Sequence, residues 1–202
     1  MELRFPAILD GSTGTQLQKR GFDSSICAEE WVLQHPEVIH EVQRSYIENG
    51  SKIVYAPTFG ANRVKLESHG IFNKVEEYNK KLVAISKEAV GDRAWVAGDM
   101  APTGKFLHPL GEMTFEELVE VYTEQAAALE KAGVDLIHVS GGTTIKRGSS
   151  IPAPGTKMGT HSELAAHIKK RVNVPVATVG RITEAWIAEE MIANGMADAC
   201  MI

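Results

Sequence analysis

The chain has 202 residues and a formal net charge of −5 at pH 7, with 44% hydrophobic and 23% charged residues. This length allows one domain with a substantial buried core, and the composition is that of an ordinary globular protein. The acidic balance argues against a nucleic-acid interface, and the sequence holds no apolar run long enough to span a bilayer. Two cysteines, Cys27 and Cys200, are too few for a disulfide framework, so we expect a cytoplasmic location.

Short apolar segments alternate with longer segments of helical period along the chain. One long helix is bounded by a capping-box pattern at Thr114 and Glu117 and by a terminating glycine, Gly133. Strands are predicted at residues 7–11, 52–56, 95–99, 135–140, 174–179 and 197–202. The main helices are predicted at residues 36–49, 75–90, 115–132, 162–172 and 183–194, with a long polar loop at 141–160. Strands separated by helices form right-handed crossovers, so the sequence predicts an α/β fold with a parallel sheet of about six strands.

Polar or glycine-rich residues follow five of the predicted strands. In parallel sheets the carboxyl ends of the strands gather the chemistry, so these tips are the candidate site. Any one of them is better explained by a turn or a helix cap, but five at one edge favour a site. The tips are residues 10–15, residues 58–62, Asp99, residues 140–142, and Gly180 with Arg181.

Residues 8–137 resemble the homocysteine S-methyltransferase family. The matching stretches are ILDGSTGTQLQKRG, HPEVIHEVQRSYIENGSKIV, PTFGANRVKLESHG and AGDMAPTGKFLHPLGEMTFEEL. The resemblance implies a TIM-barrel-derived (βα) fold and a homocysteine pocket. A carboxylate in such a pocket can hold the ammonium group, and glycines allow backbone donors to approach the carboxylate. The implied substrate-binding residues are Asp10, Gly11, Thr58, Phe59, Gly60 and Asp99.

The cysteines that hold zinc in this family have no counterparts here. The family carries one cysteine in a Gly-x-Asn-Cys tip and two adjacent cysteines, and neither motif is present. Cys27 and Cys200 match no ligand position, and Ser140 stands where the family tends to place a glutamate. A zinc ion that activates a thiol needs several soft or imidazole ligands around an open position. We therefore expect no zinc site and assign no catalytic residue.

Residues from about 133 to 202 resemble a second family, the FMN-dependent oxidoreductases of the old yellow enzyme and 2,4-dienoyl-CoA reductase type. The matching stretches are GVDLIHVSGGTTIKRGSSIPAPGT and NVPVATVGRITEAWIAEEMIANGMADACMI. The resemblance implies that Gly180 and Arg181 contact a phosphate, with Ser140 and Gly141 as further cofactor-binding candidates. The Gly-Arg pair that follows the family's last strand is missing, so we expect weak binding of phosphate or FMN at most.

The two resemblances meet near residues 134–137. We predict one β/α domain over residues 1–202, built from a methyltransferase-like segment at 1–135 and an oxidoreductase-like segment at 136–202. About six strands cannot close the eight-stranded barrel of either family, so the barrel is expected to be incomplete or chimeric. Exposed sheet edges, above all residues 197–202, favour homo-oligomers.

Three functions follow as hypotheses. The first is a homocysteine S-methyltransferase-like protein that lacks full activity because the zinc cysteines are absent. The second is a module that binds FMN or another phosphate-bearing ligand, and the third is a non-catalytic chimera, natural or engineered. In the first two the partner is a small molecule, and none of the three involves nucleic acid or a membrane.

Overall fold

The computed structural model describes residues 5–141 and 155–202, so most of the predicted loop at 141–160 lies outside the described residues. The helices are α1 (Thr13–Gln18), α2 (Ala28–Gln34), α3 (Pro36–Glu48), α4 (Arg63–Ser68), α5 (Val75–Val90), α6 (Phe115–Ala132), α7 (Ser162–Lys169) and α8 (Ala185–Ala193). The strands are β1 (Ile53–Ala56), β2 (Trp95–Met100), β3 (Leu136–Val139), β4 (Val176–Thr178) and β5 (Ala199–Cys200). They form one parallel sheet in the order β1-β2-β3-β4-β5, which confirms the predicted fold class.

The first predicted strand is reduced to a single bridge. Leu9 pairs in parallel with Ile53, supported by hydrogen bonds from Lys52 N to Ile8 O at 2.8 Å and from Asp10 N to Ile53 O at 2.9 Å. The next donor of β1, the N–H of Tyr55, is taken by the Asp10 side chain instead of by a backbone carbonyl, so the pairing stops there. The described sheet therefore has five strands and one bridge where about six strands were predicted, and it does not close into a barrel.

Apolar side chains cover both faces of the sheet. The helix-covered face packs strand residues such as Val54, Val96 and Ile137 against helix residues that include Leu129 and Ile168. This cluster runs across the junction between the two predicted segments. Both faces of a parallel sheet are normally buried, and here helices α5, α6 and α7 cover one of them.

The other face corresponds to the inside of a barrel and is filled by the sheet's own side chains. Ile53, Ala97 and Ala177 are almost fully buried there. The sheet curls enough for the Tyr55 hydroxyl to lie 2.7 Å from the Met201 sulfur, which joins β1 to the segment after β5. The curled sheet thus buries an inner face without backbone pairing between its edges.

Two aspartates repeat one arrangement at the amino ends of the strands. Asp135 and Asp198 each accept a backbone N–H at the start of the neighbouring strand, at 2.8 and 2.9 Å. Each is also paired with a lysine of a covering helix, Lys87 at 2.6 Å and Lys169 at 2.8 Å. The arrangement lies at the end of the sheet opposite the candidate site, where it ties helices to strands.

Helix α6 has the ends that its sequence predicts. Thr114 accepts from the N–H of Glu117, the Glu117 carboxylate accepts from the N–H of Thr114, and Gly133 ends the helix with φ 85°. Within residues 5–141 and 155–202, no helix is both long enough and apolar enough to cross a membrane.

Candidate active site

Asp10 lies at the carboxyl end of the sheet, as the sequence predicts, and only one of its two carboxyl oxygens has a hydrogen-bond partner. Its Oδ2 accepts the N–H of Tyr55 at 3.1 Å, whereas its Oδ1 is buried and has no hydrogen-bond partner. Burial raises the pKa of this carboxyl to about 7, with a further rise from the charge of Asp99, against the lowering effect of the Tyr55 hydrogen bond. Asp10 is therefore an acceptor whose charge changes near neutral pH.

Asp99 and His138 form a hydrogen-bonded pair on neighbouring strands. They are register partners of β2 and β3, and Asp99 Oδ1 lies 2.9 Å from His138 Nδ1. Because a carboxylate can only accept, Nδ1 donates this hydrogen bond, and Nε2 is the ring nitrogen left for a further contact. Nε2 is buried without a partner, and the ring of Tyr55 lies against the imidazole with a centroid separation of 5.1 Å. The pair thus presents one unused basic nitrogen.

The hydrogen-bond donors of Thr58 and Gly60 are used within the protein. The Thr58 hydroxyl donates to the carbonyl of Asp99 and accepts its N–H, both at 3.0 Å, and the side chain is fully buried. The N–H of Gly60 donates to the buried carboxylate of Glu29 at 2.6 Å. Phe59 is 54% exposed. Thr58 and Gly60 therefore position β2 and the tip, and Phe59 is the part of the tip that a ligand could reach.

Gly11 follows Asp10 and lies against the side chain of Tyr46. A Cβ on Gly11 would stand 2.8 Å from the Tyr46 hydroxyl oxygen, so this position requires glycine while the tyrosine stays in place. The Tyr46 hydroxyl also donates to the carbonyl of Ser12 at 3.4 Å.

Gly141 and Gly180 both contact the ring of His161. A Cβ on Gly141 would lie 2.6 Å from Nδ1, and one on Gly180 would lie 2.9 Å from Cδ2. Burial lowers the pKa of His161, and the neighbouring His138 lowers it further. His161 also lines a cavity of about 290 Å³, together with Tyr122 and Gly141. These two glycines therefore make room for a partly buried imidazole beside the cavity.

Ser140 is held by its backbone and precedes Gly141, which lines this cavity. The Tyr122 hydroxyl lies 2.9 Å from the Ser140 carbonyl and 2.8 Å from the Ala101 carbonyl, which locks the ends of β2 and β3 together. The Ser140 backbone thus ties two strand ends together.

Arg181 is constrained by a backbone contact. Its Nη1 donates to the carbonyl of Thr156, and its φ of 53° lies in the left-handed region. Helix α8 begins two residues later than the predicted start, at Ala185, with Glu184 in the N-cap position. The negative charge of Glu184 repels an anion at the amino end of α8, where the helix dipole would otherwise favour anion binding.

The two cysteines do not suit a shared metal site. Cys27 precedes α2 and contacts the Glu29 carboxylate at 3.4 Å, and burial raises the pKa of its thiol to about 11. Cys200 lies on β5, and burial raises its pKa as well. Over residues 5–141 and 155–202, no three His, Cys, Asp or Glu side chains are grouped so as to hold a metal ion. The donor set does not fit the zinc that the first resemblance implies.

Tyr55, His138 and His161 were not among the site residues predicted from sequence. A usable signal for His138 was its place near the carboxyl end of the predicted strand 135–140, the edge where the other candidate residues lie. His161 had no such signal, since its position depends on close contacts with two distant glycines.

Comparison with known proteins identifies the ancestry of the chain. The family model described as Homocysteine S-methyltransferase matches residues 7–147, so the chain belongs to that family. The methionine synthase of Mycobacterium tuberculosis is 30% identical over 144 residues, which is 64% of this chain but only 12% of that protein. The NADH oxidase of Thermoanaerobacter brockii is 34% identical over 129 residues, again 64% of this chain, and 19% of that protein. The chain thus spans a small part of these curated relatives.

Solved structures of a homocysteine methyltransferase and of a dehydrogenase have folds similar to the fold of this chain. The homocysteine methyltransferase MmuM of Escherichia coli, in its metallated form, aligns with a TM-score of 0.69 at 17% identity, covering 96% of this chain and 73% of that one. Histamine dehydrogenase from Rhizobium sp. 4-9 aligns with a TM-score of 0.58 at 18% identity, covering 87% of this chain and 26% of that one. These likenesses concern the fold, and they agree with both resemblances found in the sequence.

Proposed function

We propose that this chain binds homocysteine at the carboxyl end of its sheet and that it lacks the zinc-dependent step of its family. The observation that carries the proposal is the buried Asp10 carboxylate, which has one free oxygen in a chain that belongs to the homocysteine S-methyltransferase family. Methyl transfer is the activity of that family. In this chain the zinc ligands have no counterparts, so binding of the substrate is the function proposed.

The Asp10 carboxylate suits the ammonium group of an amino acid. Its free Oδ1 can accept one N–H, and Asp99 adds a second negative charge nearby. An ammonium at this position would stabilise the ionised form of Asp10, because opposite charges attract most strongly where water is excluded. The exposed Phe59 and the Gly11 turn would lie beside the rest of the ligand.

Calorimetry with homocysteine tests this proposal. We expect millimolar binding that tightens as the pH rises from about 6 to about 8, because Asp10 must lose its proton to hold the ammonium. Asp10→Asn should weaken binding at least about tenfold, the value of one charge-assisted hydrogen bond. The matched control is Asp92→Asn at an exposed position, which should bind as the unchanged protein does. Equal affinity in the Asp10 variant, or no binding at millimolar homocysteine, would contradict the proposal.

A second function concerns a phosphate-bearing ligand such as FMN at Gly180 and Arg181. What favours it is the similarity to the NADH oxidase, which is 34% identical over 129 residues. Weak binding is expected, because Arg181 already donates to a carbonyl and Glu184 lies at the helix end. A phosphate titration should show about tenfold weaker binding for Arg181→Ala. The control Arg171→Ala removes an arginine that contacts the carbonyl of His167, and it should leave phosphate binding unchanged.

We further infer that the chain is a chimera of segments 1–135 and 136–202 that fold as one domain. The support for a single domain is the apolar cluster that runs across the junction, with Val96 on one side and Val176 on the other. Unfolding followed by two independent probes should then give one transition. Two separated transitions would contradict the single domain. If neither homocysteine nor phosphate bound, the third hypothesis, a chimera without any activity, would be supported instead.

Self-association through the sheet edge is part of the same proposal. β5 has only two residues, and Ile202 beyond it is fully exposed. Sedimentation equilibrium over a concentration series should show dimers that are lost when residues 197–202 are deleted. A single 22.0 kDa species at all concentrations would refute it.

A further inference from the structure

The cluster around His138 holds two buried acceptors without partners, Asp10 Oδ1 and His138 Nε2. Tyr55 connects them, because its N–H binds Asp10 and its ring lies against the imidazole. An amino acid that carries a thiol has two groups that can give up a hydrogen to such acceptors, its ammonium and its S–H. With the ammonium at Asp10, the second acceptor remains for the sulfur.

We propose that His138 takes the proton of the bound thiol, with Asp99 as the residue that positions the ring. This inference rests on the proposed function, since it concerns the same ligand. The S–H bond breaks, its electron pair stays on sulfur, and an N–H bond forms at Nε2. A neutral thiol and a neutral imidazole become a thiolate and an imidazolium, so atoms and charge balance without any further reactant.

The surroundings of the ring suit this transfer. In water the transfer from a thiol to an imidazole is unfavourable by about a hundredfold. The Asp99 carboxylate lies 2.9 Å from Nδ1, so the imidazolium formed by the transfer would make a charge-assisted hydrogen bond to it. The other titratable groups that face the ring are the Tyr55 hydroxyl, which is occupied at Met201, and His161.

In this proposal His138 generates the thiolate that zinc generates in the family. A metal generates a thiolate by direct coordination, and the described residues offer no group of three ligands for one. An imidazole generates the same nucleophile by accepting the proton, as histidines do beside nucleophilic cysteines. The site would therefore hold homocysteine as its thiolate near neutral pH.

Ultraviolet absorbance of the bound thiolate tests the inference on the full chain. We expect the thiolate signal when homocysteine saturates the protein at pH 7, and none with homoserine, which has a hydroxyl in place of the thiol. His138→Gln should abolish the signal and weaken homocysteine binding about tenfold, while homoserine affinity stays within about threefold. The control His69→Gln, at an exposed helix end, should keep the signal.

Asp99→Asn separates positioning from simple structural support. The amide can still accept from Nδ1 but carries no charge, so the thiolate should appear only at a higher pH, by about one pH unit or more. Homocysteine bound to the unchanged protein without a thiolate signal would overturn the inference and leave the proposed function standing. A signal that persists in His138→Gln would overturn the inference in the same way. Absence of homocysteine binding altogether would instead refute the proposed function.

Discussion

Replacing Asp10 by Asn should make the protein more stable at neutral pH while leaving it unchanged in acid. Asn is the closest match to the protonated carboxyl, and its oxygen can still accept the N–H of Tyr55. The pKa of Asp10 is raised from its ordinary value of 3.8 to about 7 in the folded chain. Between these two values the folded state binds more protons than the unfolded state, so stability falls as the pH rises.

The size of the effect follows from the width of that pH window. Each pH unit between about 4 and about 7 lowers the free energy of unfolding by up to about 1.4 kcal/mol, or roughly 4 kcal/mol in all. Below about pH 4 both states are protonated, and above about pH 7 both are ionised, so no further change occurs there. The variant lacks this titration, and its advantage over the unchanged protein should therefore grow from near zero at about pH 4 to several kcal/mol at about pH 8.

Urea unfolding of both proteins at several pH values measures the difference directly. Comparing the two proteins at each pH cancels the contributions of the other carboxylates and histidines. Asp92→Asn, at an exposed site, reports what the loss of one negative charge does by itself. A difference between the protein and its Asp10 variant that stays constant with pH, or that shrinks toward about pH 8, would refute the reasoning.

Three further changes test the packing around the site and the junction. Tyr122→Phe should cost about 1–3 kcal/mol in urea unfolding, because two buried carbonyls lose their shared donor, and an unchanged midpoint would contradict this. Thr114→Ala should cost about 1 kcal/mol by removing the cap of α6, with Thr114→Ser as the variant that restores it. Asp135→Ala should cost about 1–3 kcal/mol, whereas Asp135→Asn, which keeps an acceptor but not the ion pair with Lys87, should recover most of the loss.

The class of fold was predictable because it depends on local patterns. Apolar segments of strand length alternate with helical ones, and a capping box and a glycine bound α6 as expected. The family was recognisable for a related reason: its motifs are runs of adjacent residues, such as the Asp10–Gly11 turn and the Thr58–Gly60 tip. Both can be read without knowing which distant segments meet.

The first predicted strand was wrong for a reason that lies outside local pattern. Residues 7–11 have the composition of a strand, yet the described structure has only the Leu9 bridge. The Asp10 side chain takes the N–H of Tyr55, and this competition between a carboxylate and a backbone carbonyl depends on where β1 lies. The strand propensity of residues 7–11 does not include this competition, because it involves a segment distant in sequence.

The sequence by itself determined the parallel α/β architecture, the methyltransferase ancestry and the placement of Asp10 and Asp99 at the strand ends. Only the tertiary structure decided which polar groups remain free, because each hydrogen-bond donor is claimed by whichever acceptor the packing brings near. The donors of Thr58 and Gly60 form hydrogen bonds to acceptors within the protein. His138 keeps a free nitrogen because β2 and β3 align Asp99 with its other one, and that register is a property of the assembled sheet.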